Sequence, residues 1–223
     1  MAEDLPEEEN TPLKVALFDS VRPHLVADGF ELSRKYYKFI RRHDGISDWF
    51  YLVCPNAKPG HWVKPAVGVR IERVEQIYHQ TSMFQKKYQS GTPTMGTMVG
   101  ILLGGDSLSC RFLLRSKSDI PGIVEKIIPL FREVALPYFE RWSSLSAIDA
   151  ELNDKPGKRT PHSALAISRC STGIIVAKLV GRPDYERLAA FYTDVITKDN
   201  KGFYLKWFLP LLKSLESVAP DSI

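Results

Sequence analysis

Apolar positions along this chain change their period repeatedly, and each change predicts an element. Leu13, Ala16, Leu17, Val21 and Leu25 recur at helical spacing and predict a first helix over about 12–28. Pro23 falls inside it, so the helix either kinks there or restarts with Ser20 capping a second short helix. The pattern stops at Gly29-Phe30, and residues 30–34 begin a first strand. Two alternating runs at about 35–43 and 46–54 then flank Asp44-Gly45. Asp-Gly between such runs predicts a two-residue hairpin, because a type I′ turn needs positive φ at both centres. In that register Phe39 faces Phe50, Tyr37 faces Leu52 and Arg41 faces Asp48 on one side. The other side carries Ile40 opposite Trp49, Lys38 opposite Tyr51 and Arg42 opposite Ser47.

Breakers at 55–60 predict a loop, and Val63 to Val74 alternates again with Val67, Val69 and Ile71 on one face. Residues 75–88 read as a polar helix or ordered loop. Met95 to Leu103 reads as a glycine-rich strand, followed by a turn at Gly104-Gly105-Asp106-Ser107 and a strand over 108–114. Ile120, Ile123, Val124, Ile127, Phe131 and Val134 predict an amphipathic helix capped by Ser118 or Asp119, and Pro137 starts a further helical stretch. Beyond 161 the pattern is helical, at about 162–180, 184–197 and 203–217. This order of helix, strands and helices predicts an α+β fold: an N-terminal helix, an antiparallel meander of about five strands, then packed helices. The expected organisation is an acidic tail over 1–11, a sheet domain over 12–150, a linker over 151–161 and a C-terminal helical segment over 162–223.

Composition adds constraints. The chain of 223 residues is 44% hydrophobic and 25% charged, an ordinary globular balance. No apolar run approaches the roughly 18 residues of a membrane span, and the acidic start matches neither a secretory nor a mitochondrial signal. Cys54, Cys110 and Cys170 lie far apart, with no CxxC, which predicts thiols and a cytoplasmic location. Net charge is +4, but residues 1–10 hold five acids and no base; without them 21 acids face 30 bases, a balance of +9. That charge favours acidic partners without requiring a polyanion.

Catalytic motifs are mostly missing. The glycines at 91–105 have no P-loop lysine after them, and neither GxGxxG after a strand nor GxSxG occurs. His24, His43, His61, His79 and His162 lack metal-ligand spacing, so no metal or cofactor is expected. His43 with His61, or Cys54 with His61, could converge, but solvated histidines and a buried thiol account for them more simply. The feature left is the mixed hairpin face, where Lys38, Arg42, Trp49 and Tyr51 combine stacking surface with charge. Such a patch suits an acidic protein or single-stranded nucleic acid.

The helix ending in Gly29-Phe30, the strand Tyr36-Tyr37-Lys38-Phe39-Ile40-Arg41-Arg42, the helix beginning near Asp119 and Leu136-Pro137-Tyr138-Phe139 carry a resemblance. From Leu13 to about Trp142 the chain resembles a group of bacterial proteins with a domain of unknown function, several of them suspected polymorphic-toxin immunity proteins. The resemblance implies a non-enzymatic, immunity-like protein-binding domain without catalytic residues. The expected function is therefore a non-catalytic cytosolic protein-binding domain, with a nucleic-acid-binding module as the alternative.

Overall fold

The structure is a computed structural model that describes residues 12–163 and 165–221; the acidic segment 1–11 lies outside the described residues. The fold is α+β, with an N-terminal helix, an antiparallel open sheet and packed helices. The helices are α1 (Pro12–Val26), α2 (Glu72–Tyr78), α3 (Lys86–Gln89), α4 (Val99–Leu102), α5 (Ile120–Leu130), α6 (Leu136–Trp142), α7 (Leu145–Asn153), α8 (Ala166–Leu179), α9 (Tyr185–Lys198) and α10 (Leu205–Leu215). The strands are β1 (Glu31–Ser33), β2 (Lys38–His43), β3 (Ile46–Val53), β4 (His61–Ile71), β5 (Met95–Met98) and β6 (Phe112–Leu114). Strand order is β1-β2-β3-β4-β5, a meander as expected, with β6 also paired to β4.

The hairpin forms where the sequence predicts it. Asp44 and Gly45 take φ of 42° and 74°, the left-handed pair that a type I′ turn demands. The Gly45 carbonyl also accepts the Glu72 amide at 2.9 Å, so the turn satisfies an otherwise unpaired donor at the start of α2. Helix α1 runs through Pro23 without restarting, and Ser20 donates back to the Ala16 carbonyl at 2.8 Å instead of capping a second helix. Its end is closed by Phe30 N–H to Leu25 O at 3.2 Å and Gly29 N–H to Val26 O at 3.0 Å.

Four predicted strands are corrected. Residues 34–37 turn between β1 and β2, because β1 folds back to pair Leu32 with Phe39 and Ser33 with Lys38. The alternation after Val63 ends at Ile71, where the chain becomes helical. Of the predicted 95–103 strand only Met95–Met98 is extended, and Val99–Leu102 coils into a helical turn. The last predicted strand shrinks to Phe112–Leu114, because the Asp106 carboxylate takes Leu108 N–H and the Ser109 hydroxyl, each at 2.8 Å, and holds a turn instead.

The described residues divide into two compact units, one from 12–41, 50–66 and 98–136, the other from 42–49, 67–97 and 137–221. The first is centred on Phe131, fully buried, whose ring meets those of Phe30 and Phe50 edge-on at 5.2 Å each. Ile127 and Ile123 are buried on the same helical line, about one and two turns earlier. A π-helical turn at Phe131–Ala135 joins α5 to α6. The second unit is built around α8. Nine of its fourteen residues are buried, and α2, α7, α9 and α10 all pack on it. Burial on several sides makes α8 the central helix of the unit, although its sequence AISRCSTGIIVAKL includes Ser168, Arg169, Ser171, Thr172 and Lys178.

The α8 unit also contains a closed polar network. Asn153 donates to Asp149 at 2.6 Å and to the Gly173 carbonyl at 2.9 Å, while Tyr192 donates to Asn153 Oδ1 at 2.6 Å. Arg182 binds Asp149 and Asp154 at 2.9 Å and Asp184 at 2.8 Å, tying the α7 and α9 ends to the turn after α8.

Two stability measurements check this account. Gly45→Ala should cost about 1 kcal/mol or more in urea unfolding, since alanine resists positive φ. Phe131→Ala should cost roughly 3–5 kcal/mol. A loss under about 1 kcal/mol would mean the three-ring cluster is not the centre of its unit.

A basic-aromatic candidate binding surface

Of the four residues that the sequence singles out, Lys38 and Trp49 are buried at 2% and 3% exposure, Tyr51 is half-buried and Arg42 is exposed. The structure brings Lys38 and Tyr51 together: the ammonium lies 5.3 Å from the Tyr51 ring and 5.2 Å from that of Tyr36. This agrees with Lys38 standing opposite Tyr51, but the cation is enclosed between rings and is not offered to solvent. Asp48, fully buried, accepts from His43 at 2.9 Å. Arg41 stacks over Phe30 at 5.0 Å. The side-chain alternation of the hairpin is legible in the sequence; the burial of individual positions along it is not.

The other clusters of titratable groups are structural. At the β4–α2 junction Glu75, 2% exposed, accepts from Thr92 at 2.6 Å and Thr94 at 2.9 Å, with His79 at 3.3 Å and Arg70 at 3.5 Å. His79 uses its other ring nitrogen on Ser82 at 2.8 Å. Arg70 grips Glu72 through two nitrogens and donates to the Gln89 and Thr92 carbonyls. Glu75 and His79 have the i, i+4 spacing that could have flagged them. Each group is committed to a neighbour, so the cluster pins the β4–α2 junction.

His162 is the histidine that burial perturbs most visibly. Its ring packs 4.7 Å from Trp142 and 5.5 Å from Tyr138, whose hydroxyl lies 3.3 Å from Nδ1. Burial pulls the imidazole down to about 4; Arg141 adds to that, while Glu151, 4.0 Å away, opposes it. The Cys170 thiol is pushed up to about 12 by burial, and burial also raises Cys110, so neither is an activated nucleophile. Cys54 donates to the Leu52 carbonyl at 3.2 Å. Among the described residues, no group of three or more His, Cys, Asp or Glu could hold a metal ion.

An exposed cluster that sequence reasoning missed lies at the start of α10. The periodic core positions of that helix, Phe208, Leu211 and Leu215, are buried. The run Phe203-Tyr204-Leu205-Lys206-Trp207-Phe208-Leu209 holds more large apolar side chains than one face can bury. Phe203 and Leu209 are consequently 48% and 49% exposed. Phe203, Tyr204 and Trp207 form a ring triad with centroids 5.2–6.1 Å apart. Lys206 lies over it, 4.5 Å from Phe203 and 4.1 Å from Trp207.

The turn before the cluster is strained. Asn200 and Lys201 are left-handed, φ 45° and 54°, and Gly202 comes next at 75°. Asparagine tolerates that region; lysine does so at a cost of about 1–2 kcal/mol. Strain of this kind is retained where it places side chains that matter. Of the nearby lysines, Lys198 is paired with Asp194 at 2.7 Å, while Lys206 is the one stacked on the rings. Compared with family models, with curated proteins and with solved structures, the chain has no match.

His162 gives a pH signature. The unfolded imidazole takes its proton near pH 6.5 and the folded one only near 4, so the unfolded state binds more protons between those values. The contribution is full above pH 6.5 and is lost as pH falls toward 4. Urea unfolding at pH 7.5, 6 and 5 should show a decline that His162→Gln reduces; equal slopes for the two proteins would rule out this assignment.

Proposed function

We propose that this protein is a non-catalytic binding domain that works in the cytosol by gripping an acidic protein partner through the surface around Phe203, Lys206 and Trp207. The observation that carries the reading is the ring triad of exposed Phe203 with half-buried Tyr204 and Trp207, with a lysine lying over it after a left-handed turn. Aromatic anchors flanked by cations are the usual composition of interface hot spots. A lysine already lying over rings meets an incoming carboxylate at a reduced ordering cost. Three thiols without a disulfide suit a reducing compartment. No helix among the described residues is long and apolar enough to cross a membrane.

The same rings could stack nucleic-acid bases, and salt separates the two readings. Affinity capture with the wild-type chain, Trp207→Ala and Lys206→Glu should yield a partner that both variants lose by at least tenfold, corresponding to about 1.4 kcal/mol. A control at exposed Arg42 should retain it. Equal capture by all four proteins would sink the proposal. Binding to a single-stranded oligonucleotide that falls steeply with salt would replace it with the nucleic-acid reading.

A further inference from the structure

Within the Phe131 unit the sheet has a face turned away from the core, and it carries rings and cations of its own. Side chains alternate along a strand, so Phe50, Leu52 and Val63 are buried in the core while the residues between them point away. On β3 the outward residues are Tyr51 and Val53. The Asn56–His61 bridge and the Trp62 N–H to Pro55 O bond at 3.0 Å carry the register into β4. That register sets Trp62 beside Pro55 and Lys64 beside Val53. On the other side of β4, Trp62 pairs with Leu113 of β6. Arg111, just before β6, lies over the Trp62 ring, 4.4 Å from its centroid. Lys38 and Ala66 are buried, which closes one end of this face. The other end is open: Val53 and Arg111 are exposed, and Tyr51, Trp62, Lys64 and Leu113 are half-buried.

The charge of the open end has one sign. Lys64 and Arg111 supply two cations, and none of the outward residues at 51, 53, 62, 64, 111 and 113 is an acid. The acids nearest to it are placed or occupied elsewhere. Glu31 pairs with Ile40 on the edge strand, past the buried Lys38 and so beyond the closed end. Asp106 spends its carboxylate on the Leu108 amide and the Ser109 hydroxyl. Tyr51 and Trp62 stand roughly 14 Å apart, four residues along neighbouring strands, with Val53 and Lys64 between them. Single-stranded nucleic acid uses such a surface: bases stack on rings whatever their identity, and phosphates meet the cations. A protein partner is held by anchors sunk in desolvated pockets, whereas half-exposed rings standing on a strand face offer area to stack on. Arg111 is already ordered against the indole, which lowers the cost of fixing it on a phosphate. We propose that this face binds single-stranded nucleic acid, with Tyr51 and Trp62 stacking on bases and Lys64 and Arg111 meeting the phosphates between them. The proposal goes beyond the α10 surface and does not depend on it.

The test is fluorescence anisotropy of the full chain with a labelled oligothymidylate of about twelve nucleotides, between about 50 and 200 mM KCl. Binding should saturate and weaken with salt, with a log–log slope near −1.4, since each of two phosphates contributes about 0.7. Arg111→Gln, at an exposed position, should bring that slope to about −0.7. Trp62→Ala should weaken binding about tenfold and leave the slope unchanged, because stacking releases no counterion. That split between affinity and slope is one that a merely structural role would not produce. Should Trp62→Ala fail to fold, Val53→Glu at its exposed position should weaken binding by a similar factor. Trp207→Ala should bind as the wild type does; a loss there would assign the oligonucleotide to the α10 rings and overturn the proposal. Absence of saturable binding at about 50 mM KCl, or wild-type binding by Trp62→Ala and Arg111→Gln together, would overturn it too. Displacement of the oligonucleotide by an equal concentration of an oligoglutamate peptide of the same length would replace it with an acidic protein partner.

Discussion

The carboxylate of Glu75 is the constraint on which the best-defined part of this structure depends. A charge at 2% exposure is tolerated only where nearby donors replace its water. Those donors come from three directions: Thr92 and Thr94 from the turn before β5, His79 from the end of α2 and Arg70 from β4. Each donor has a second duty. Thr94 Oγ1 also accepts the Ile71 amide at 3.0 Å, fixing where β4 stops. His79 reaches Ser82, and Arg70 grips the carbonyls of Gln89 and Thr92. Satisfying one acid thereby sets the end of a strand, the start of a helix and the path of the loop between them.

That junction also decides where the candidate binding surface can be. Tyr78 and Ser82 line a small recess against Ile167, Trp207 and Leu211, and Ser82 also holds His79 of the Glu75 pin. Met83 therefore takes its exposed place because the preceding residues are pinned, while Trp207 takes its place from the opposite side through the core contacts of α10. The recess is bounded by one wall fixed by polar bonds and another fixed by apolar burial.

Elements governed by local forces are the ones that the sequence reveals. Asp44-Gly45 announces its hairpin because the turn geometry is decided by two residues. The α5 stripe is visible because helical period and burial coincide there. In the 95–114 region the turn at Gly104-Gly105-Asp106-Ser107 is legible but its reach is not, because the Asp106 carboxylate carries it on to Leu108 and Ser109 and shortens β6. The candidate site is harder to read. Alternation puts Lys38 and Trp49 on a face, yet only tertiary packing reveals that both are enclosed. The run at 203–209 carries a readable signal: after Phe208, Leu211 and Leu215 take the buried line, the aromatic residues left over have no core to enter.

A surface that departs from local rules in two ways at once asks for a functional explanation more strongly than either departure alone. Phe203 and Leu209 leave apolar area in water, and the chain reaches them through consecutive left-handed residues, one of them a lysine. Folding alone would favour the opposite on both counts: polar side chains at 203 and 209, and a relaxed turn before α10. The ring contacts and the Lys206 stacking offset part of this cost, but they do so by making the cluster rigid. A rigid, cationic and apolar surface loses little conformational freedom when it is covered, which is the property a binding site needs and a loop or a solubilising face does not. The physical case for a binding surface therefore rests on order, with charge and hydrophobicity selecting what binds.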